Sequence, residues 1–155
     1  LLMKTALFPC SFDPFTKGHY DIVQRSLGLF DKVIIALGHN SRKNKRYFSL
    51  DWQVAKLEQA FKDDERVHIE VYDELTADLA KKHHAKFVVR GLRNTTDFEY
   101  ENSISQINKY LNEDLETIFL ITSPDLAPIS YSIIREVHRY GGDVQPFLPY
   151  DVQDM

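Results

Sequence analysis

The apolar positions of this chain fall into two alternating rhythms. Thr5-Ala6-Leu7-Phe8, Lys32 to Gly38, Phe87-Val88-Val89-Arg90 and Thr117 to Ile121 are short continuous runs rich in branched and aromatic residues, and they read as strands buried on both faces. Pro9 ends the first of them. Val67 to Val71 alternates apolar and polar, the pattern of a half-exposed strand toward a sheet edge. Between the strands the spacing changes to three and four. Val23, Ser26, Leu27 and Phe30 share a face after Gly18, and Leu50, Val54, Leu57 and Phe61 share another behind Ser49, a helix-capping residue. Leu75 to His84 reads as a short helix. Asp97 to Leu111 reads as a long one with Tyr100, Ile104, Ile107 and Leu111 facing in, and a last helix starts near Ser130. This alternation predicts an α/β fold: a Rossmann-like, doubly wound, five-stranded parallel sheet with helices on both faces, joined by right-handed crossovers. No repeat or linker divides the chain, so residues 3–155 are expected to form a single domain, with Leu1 and Leu2 left aside.

Composition narrows the possible functions. The chain has 155 residues, 43% of them hydrophobic, enough to bury a core without disulfides or a structural metal. Cys10 is the single cysteine and no Cys/His cluster has zinc spacing, so no metal site is expected and a reducing, cytoplasmic setting is. A formal net charge of -4 argues against a general nucleic-acid binder, which is usually basic. Any polyanion has to be met by a local cluster. No apolar run approaches a membrane span and no leader pattern is present, so no membrane association is expected.

In open parallel sheets, ligands bind beyond the carboxyl ends of the strands, near the point where strand order reverses. Four clusters lie at such ends. Asp13-Pro14 and Lys17-Gly18 punctuate the first turn, so His19 falls at or just before the first helical turn, where free N–H groups favour a phosphate. After the second run, Arg42, Lys43, Lys45 and Arg46 put four cations in five positions, which by position alone is as readily a solvated loop as a cluster that meets an anion. Arg90 ends a buried strand, and a guanidinium there needs either an ion pair, with Asp97 or Glu99, or the mouth of a site. Gly91 lets the backbone turn sharply and approach a ligand, and Glu101 stands one turn from Asp97 on the same helix face. Ser130 is a natural cap, and with Ser132 and the free N–H groups of the last helix it makes a second anion cradle facing the one at His19. His83-His84 reads as a helix C-terminus and Trp52 as packing.

These residues carry a resemblance. Thr16-x-Gly18-His19 resembles the T/H-x-G-H signature of the nucleotidyltransferases related to class I aminoacyl-tRNA synthetases. Pro9 to His19 is similar to the P-G-S/T-F-D-P-x-T-x-G-H segment of the bacterial phosphopantetheine adenylyltransferases, with Cys10 where that family usually has glycine. Asn40-Ser41-Arg42-Lys43 resembles the family's N-P-x-K loop, here one residue longer than is common, which keeps Lys45 as a rival to Lys43. Arg90 to Glu101 is similar nearly throughout to the R-G-L/I-R-x-x-x-D-F/Y-E-Y-E signature. Ile129 to Arg135 is similar to I-S-S-S/T-x-I/V-R, with Tyr131 in place of the middle serine. The resemblance runs from about Thr5 to Val152. It implies adenylyl transfer from ATP to 4'-phosphopantetheine, giving 3'-dephospho-coenzyme A and pyrophosphate. By the same carry-over His19, Lys43 and Arg93 are catalytic. Ser11, Phe12, Gly18, His19, Arg93, Glu101, Ser130, Tyr131 and Ser132 bind ATP, while Ser11, Lys43, Leu75 and Arg90 bind phosphopantetheine, and Asp97 helps hold the arginines. The resemblance further implies Mg2+ carried in on ATP, a homohexamer, and feedback by coenzyme A. A sibling adenylyl- or cytidylyltransferase would share Thr16-x-Gly18-His19 and Ile129-Ser130 but not the Arg90 to Glu101 signature. A non-catalytic nucleotide-binding module would need neither the histidine nor a second phosphate site.

Overall fold

The computed structural model describes residues 3–40, 42 and 45–154. Five parallel strands, β1 Thr5–Cys10, β2 Lys32–Gly38, β3 Val67–Tyr72, β4 Phe87–Leu92 and β5 Glu116–Ile121, form one sheet in the order β3-β2-β1-β4-β5. Helices α1 Lys17–Ser26, α2 Leu50–Ala60, α3 Thr76–Lys82, α4 Thr95–Leu111 and α5 Tyr131–Arg139 alternate with them, and a 3-10 turn, Gln145–Phe147, follows. The fold is the Rossmann-like α/β sheet that the alternation predicts, with Val67–Tyr72 at an edge as expected.

Side-chain period two explains why the strand runs are continuously apolar. Val33, Ile35 and Leu37 of β2 pack on one face with Ile22 and Val23 of α1, Leu57 of α2 and Ile134 of α5. Ile34 and Ala36 point to the opposite face, where Leu79 and Ala80 of α3 cover them. Both faces are buried, so no polar alternation survives in β2. Helix starts follow local chemistry: Ser49 Oγ accepts from the Trp52 N–H at 3.1 Å, Asn94 Oδ1 from Asp97 N–H at 2.9 Å, and Ser130 Oγ from Ile133 N–H at 3.2 Å.

Pro9 does not end β1. The strand continues to Cys10 against β2, with Pro9 opposite Ala36 and Cys10 opposite Leu37. On the other side, pairing with β4 covers only Ala6 with Phe87 and Leu7 with Val88. A strand residue points its N–H and C=O to the same neighbour, and Pro9 has no N–H to give. Its carbonyl is taken instead by the Arg90 guanidinium. The central ladder therefore parts between β1 and β4, where the strand order reverses.

Two other expectations are corrected. Tyr100 and Ile107 are 68% and 60% exposed, and Ile104 and Leu111 are exposed as well; the residues α4 buries are Glu101 and Asn108. Periodicity correctly marks an apolar stripe, but Arg90 draws the polar side of α4 inward by pairing with Glu101. Gly91 makes no sharp turn, since β4 runs on to Leu92. Its small size matters for packing, because a Cβ there would lie 3.2 Å from Ile22 Cδ1 on α1.

Candidate active site

Thr16 and His19 lock the start of α1 reciprocally. Thr16 Oγ1 accepts the His19 N–H at 3.3 Å, and the Thr16 N–H donates to His19 Nδ1 at 3.0 Å. Because Nδ1 accepts, the proton of the neutral ring sits on Nε2. The imidazole is half-buried among Phe8, Phe12 and Phe15, with centroids 6.0, 5.0 and 5.4 Å away. Burial, followed by the positive charges of Arg90 and Arg93, holds its pKa down to about 3. The ring is thus a neutral hydrogen-bond donor throughout the physiological range.

This shift has a measurable consequence. Between pH 3 and the unfolded value near 6.5, the unfolded chain binds more protons at His19 than the folded one. Stability contributed by the neutral ring is therefore complete above about pH 6.5 and is lost as pH falls toward 3. The urea midpoint is expected to drop between pH 7 and pH 5, and to drop less in His19→Gln, with both proteins titrated in parallel. An equal drop in the two would remove His19 as the cause.

The two arginines of β4 and its following turn are held by carboxylates of α4. Arg90 donates Nε–H to Glu101 Oε2 at 2.9 Å and Nη2–H to Oε1 at 2.7 Å, a two-point fork-to-fork pair. Its partner is neither Asp97 nor Glu99. Burial by itself would lower the Arg90 pKa, but the Cys10 sulfur and the Glu101 carboxylate outweigh it and raise the pKa. Arg93 donates from its backbone N–H and its Nε–H to Asp97 Oδ2, both at 3.0 Å, as a carboxylate placed to hold it should allow. Burial would raise the Asp97 carboxyl, and the hydrogen bonds from Arg93 reverse that and lower it.

Two clefts meet at these residues. The first, about 260 Å³, is bounded by Gly18 and His19 of α1, Arg93, Asp97, and Ile129-Ser130 before α5. The second, about 330 Å³, is bounded by Ser11, Tyr72, Thr76, Ile104 and Asn108. Cys10, Arg90, Tyr100, Glu101 and Tyr131 border both, so the Arg90 fork stands at their junction. A third cleft, lined by His39, Asn40, Arg42 and Glu74 among others, shares Gly38 and Tyr72 with the second. Both α1 and α5 start at the first cleft, so two helix N-termini border it.

The structure thus brings together Ser11, Gly18, His19, Arg90, Arg93, Glu101, Ser130 and Tyr131. Tyr131 lies over the Arg135 guanidinium at 4.8 Å, in keeping with its place beside an arginine-bearing turn of α5. The remaining candidates lie elsewhere. Phe12 is fully buried in the core, so only its backbone can face a ligand. Ser132 and Leu75 are exposed and border neither cleft. Lys43 lies outside the described residues; Lys45 is exposed. Tyr72, which no motif singles out, also borders the second cleft, together with Thr76 and Asn108. Tyr72 ends β3, and its hydroxyl meets Thr76 Oγ1 at 3.0 Å. Its position at a strand's carboxyl end was the available signal, as was the seven-residue spacing of Glu101 and Asn108 on α4. Among the described residues no group of three or more His, Cys, Asp or Glu side chains converges as a cation site, and no helix is long and apolar enough to cross a membrane.

Residues 7–137 match the cytidylyltransferase-like family. The chain is 62% identical over 151 residues to the phosphopantetheine adenylyltransferase of Cytophaga hutchinsonii, covering 97% of this chain and 100% of that one. It is 48% identical over 147 residues to the enzyme of the same name from Phocaeicola vulgatus, covering 95% and 96%. Its fold is similar to the structure of a bifunctional NMN adenylyltransferase/ADP ribose pyrophosphatase from Francisella tularensis, with a TM-score of 0.73 and 18% identity. There the match covers 97% of this chain and 46% of that one.

Proposed function

We infer from its membership of the phosphopantetheine adenylyltransferases, the family to which this chain belongs, that it is a nucleotidyltransferase of coenzyme A synthesis. It transfers the adenylyl group of ATP to 4'-phosphopantetheine, releasing pyrophosphate and giving 3'-dephospho-coenzyme A. A phosphate oxygen of phosphopantetheine attacks the α-phosphorus of ATP while the bond to the bridging oxygen breaks, and pyrophosphate leaves with that oxygen. The nucleophile is already an anion at neutral pH, so positioning and charge stabilisation do most of the work.

The observation that carries the site reading is the meeting of two clefts at the Arg90–Glu101 fork, with His19 and Ser130 both lining the first. ATP takes the first cleft, its phosphates between the starts of α1 and α5. Phosphopantetheine takes the second, its phosphate on Arg90. The neutral His19 ring donates Nε2–H to the α-phosphate as charge builds there and gives up no proton in doing so. Arg93, fixed by Asp97, draws the leaving phosphates, and the role proposed for Lys43 is to lend the transferring group a positive charge. Magnesium, bound by the triphosphate oxygens, neutralises part of their charge. The whole chain acts as one domain in the cytoplasm. The uncovered apolar stripe of α4, with Tyr100, Ile104 and Ile107, supports assembly with further copies, as a homohexamer. Product-side coenzyme A, sharing the pantetheine arm, competes for the second cleft.

The test is pyrophosphate release from ATP and Mg2+ with 4'-phosphopantetheine, against nicotinate mononucleotide and unphosphorylated pantetheine. Release is expected only with phosphopantetheine. Turnover with the mononucleotide instead would transfer the chain to a sibling reaction.

A further inference from the structure

Arg46 belongs to the basic loop after β2, yet it is half-buried and fully engaged. Its Nη2–H donates to the Phe12 carbonyl at 2.8 Å, its Nη1–H to the Ser11 carbonyl, and its Nε–H to Phe48 O at 3.2 Å. The next two residues answer from the other direction. The Tyr47 and Phe48 N–H groups donate to the two oxygens of Asp13 at 2.8 Å each, and Arg135 of α5 adds a donor to the same carboxylate at 3.3 Å. Segment 46–48 is therefore stitched crosswise to segment 11–13.

What those bonds orient is the backbone at Phe12. Its φ is +50°, an uncommon conformation for a bulky residue, and its side chain is locked in the core. In a trans peptide the N–H points opposite the C=O. With Arg46 holding the Ser11 carbonyl, the Phe12 N–H is turned away from Arg46, and this N–H has no protein acceptor among the described residues. It follows directly on Ser11 and Cys10, which line the second cleft and the junction of the two. Successive backbone donors around a left-handed residue form an anion-binding concavity.

We propose that Arg46 is a positioning residue for phosphate: by gripping the Ser11 and Phe12 carbonyls it fixes the Phe12 N–H as an anion donor. Arg46 itself borders none of the three clefts, so it acts through that backbone and not by contact with ATP. This rests on ATP occupying the first cleft.

The test compares MgATP affinity, measured by calorimetry, and the KM values for ATP and phosphopantetheine in wild type, Arg46→Ala and Arg46→Lys, with the thermal midpoint of each. Arg46→Ala is expected to weaken MgATP binding ~10-fold, the scale of losing charge-assisted bonds that hold a donor in place. Millimolar guanidinium, too dilute to denature, restores most of that loss, because it refills the same carbonyl pair. Arg46→Lys, without the planar fork, recovers little. MgATP affinity within twofold of wild type in Arg46→Ala would overturn the proposal. So would a loss that guanidinium leaves untouched and that follows the unfolded fraction. If the wild type turns over phosphopantetheine and Arg46→Ala matches it, only the Arg46 role falls; if the wild type binds no ATP, the functional reading falls and this role with it.

Discussion

Replacing His19 with alanine is expected to lower kcat by about 10²–10³ while the KM values for both substrates change little, the pattern of an interaction made mainly in the transition state. The reason lies in what the ring can and cannot do. With a pKa near 3, it is not a cation attracting the triphosphate in the ground state; it is a single Nε2–H donor, aimed by the Thr16 N–H at its other nitrogen. Its value rises as negative charge builds on the α-phosphate. The structural cost is small by comparison, since the alanine removes one half of a capping arrangement, about 1 kcal/mol, and Thr16 Oγ1 still accepts from the backbone. His19→Asn, which keeps a donor, is expected to retain more kcat than alanine. The acid limb of the pH–rate profile should be the same in wild type and in His19→Asn, because the limb belongs to other groups. Steady-state kinetics from pH 5 to 9 decides it: a kcat that falls as pH rises through about 6.5, a fall that disappears with His19, would mean the ring works as an imidazolium.

Arg90→Ala is expected to do damage of two kinds, and a second substitution separates them. Glu101 is only 8% exposed, so removing its guanidinium partner strands a buried carboxylate, at a cost of about 3 kcal/mol. The Pro9 carbonyl loses its donor as well. Phosphopantetheine binding is lost at the same time, with its KM raised by ~10² if the phosphate sits on this fork. In Arg90→Ala/Glu101→Ala the stranded charge is gone, so the urea midpoint recovers most of the way to wild type while phosphopantetheine binding stays lost. Recovery of both would mean that Arg90 serves only to neutralise Glu101. Failure of both, with stability still low, would place the main energetic role at the Pro9 carbonyl.

Much of this was legible in the chain because the strands carry unbroken apolar runs. Lys32 to Gly38 can only be a two-sided buried strand, and its bounds match β2. His19 and Ser130 were legible because each follows a strand's carboxyl end, and Arg90 because it lies near the carboxyl end of β4, where a parallel sheet opens to ligands. What escaped depended on contacts distant in sequence. Nothing near Arg46 announces that the carbonyls of Ser11 and Phe12, about 35 positions earlier, need its donors. The stripe on α4 was seen, but an apolar face does not say what covers it, and the pull of Arg90 on Glu101 decided which side turned in. Pro9 was read by its general habit of ending strands, whereas with β2 on one side and a gap on the other it ends only half of one.

That half-ended strand sets how the enzyme can vary. Most crevices in sheets are framed by loops, and loops drift in length and sequence. Here the opening is written into the main chain by one imino acid and braced by the Arg90 guanidinium on the Pro9 carbonyl. A change at either residue alters the sheet itself, whereas a change at a wall residue such as Cys10 or Tyr131 alters only the lining.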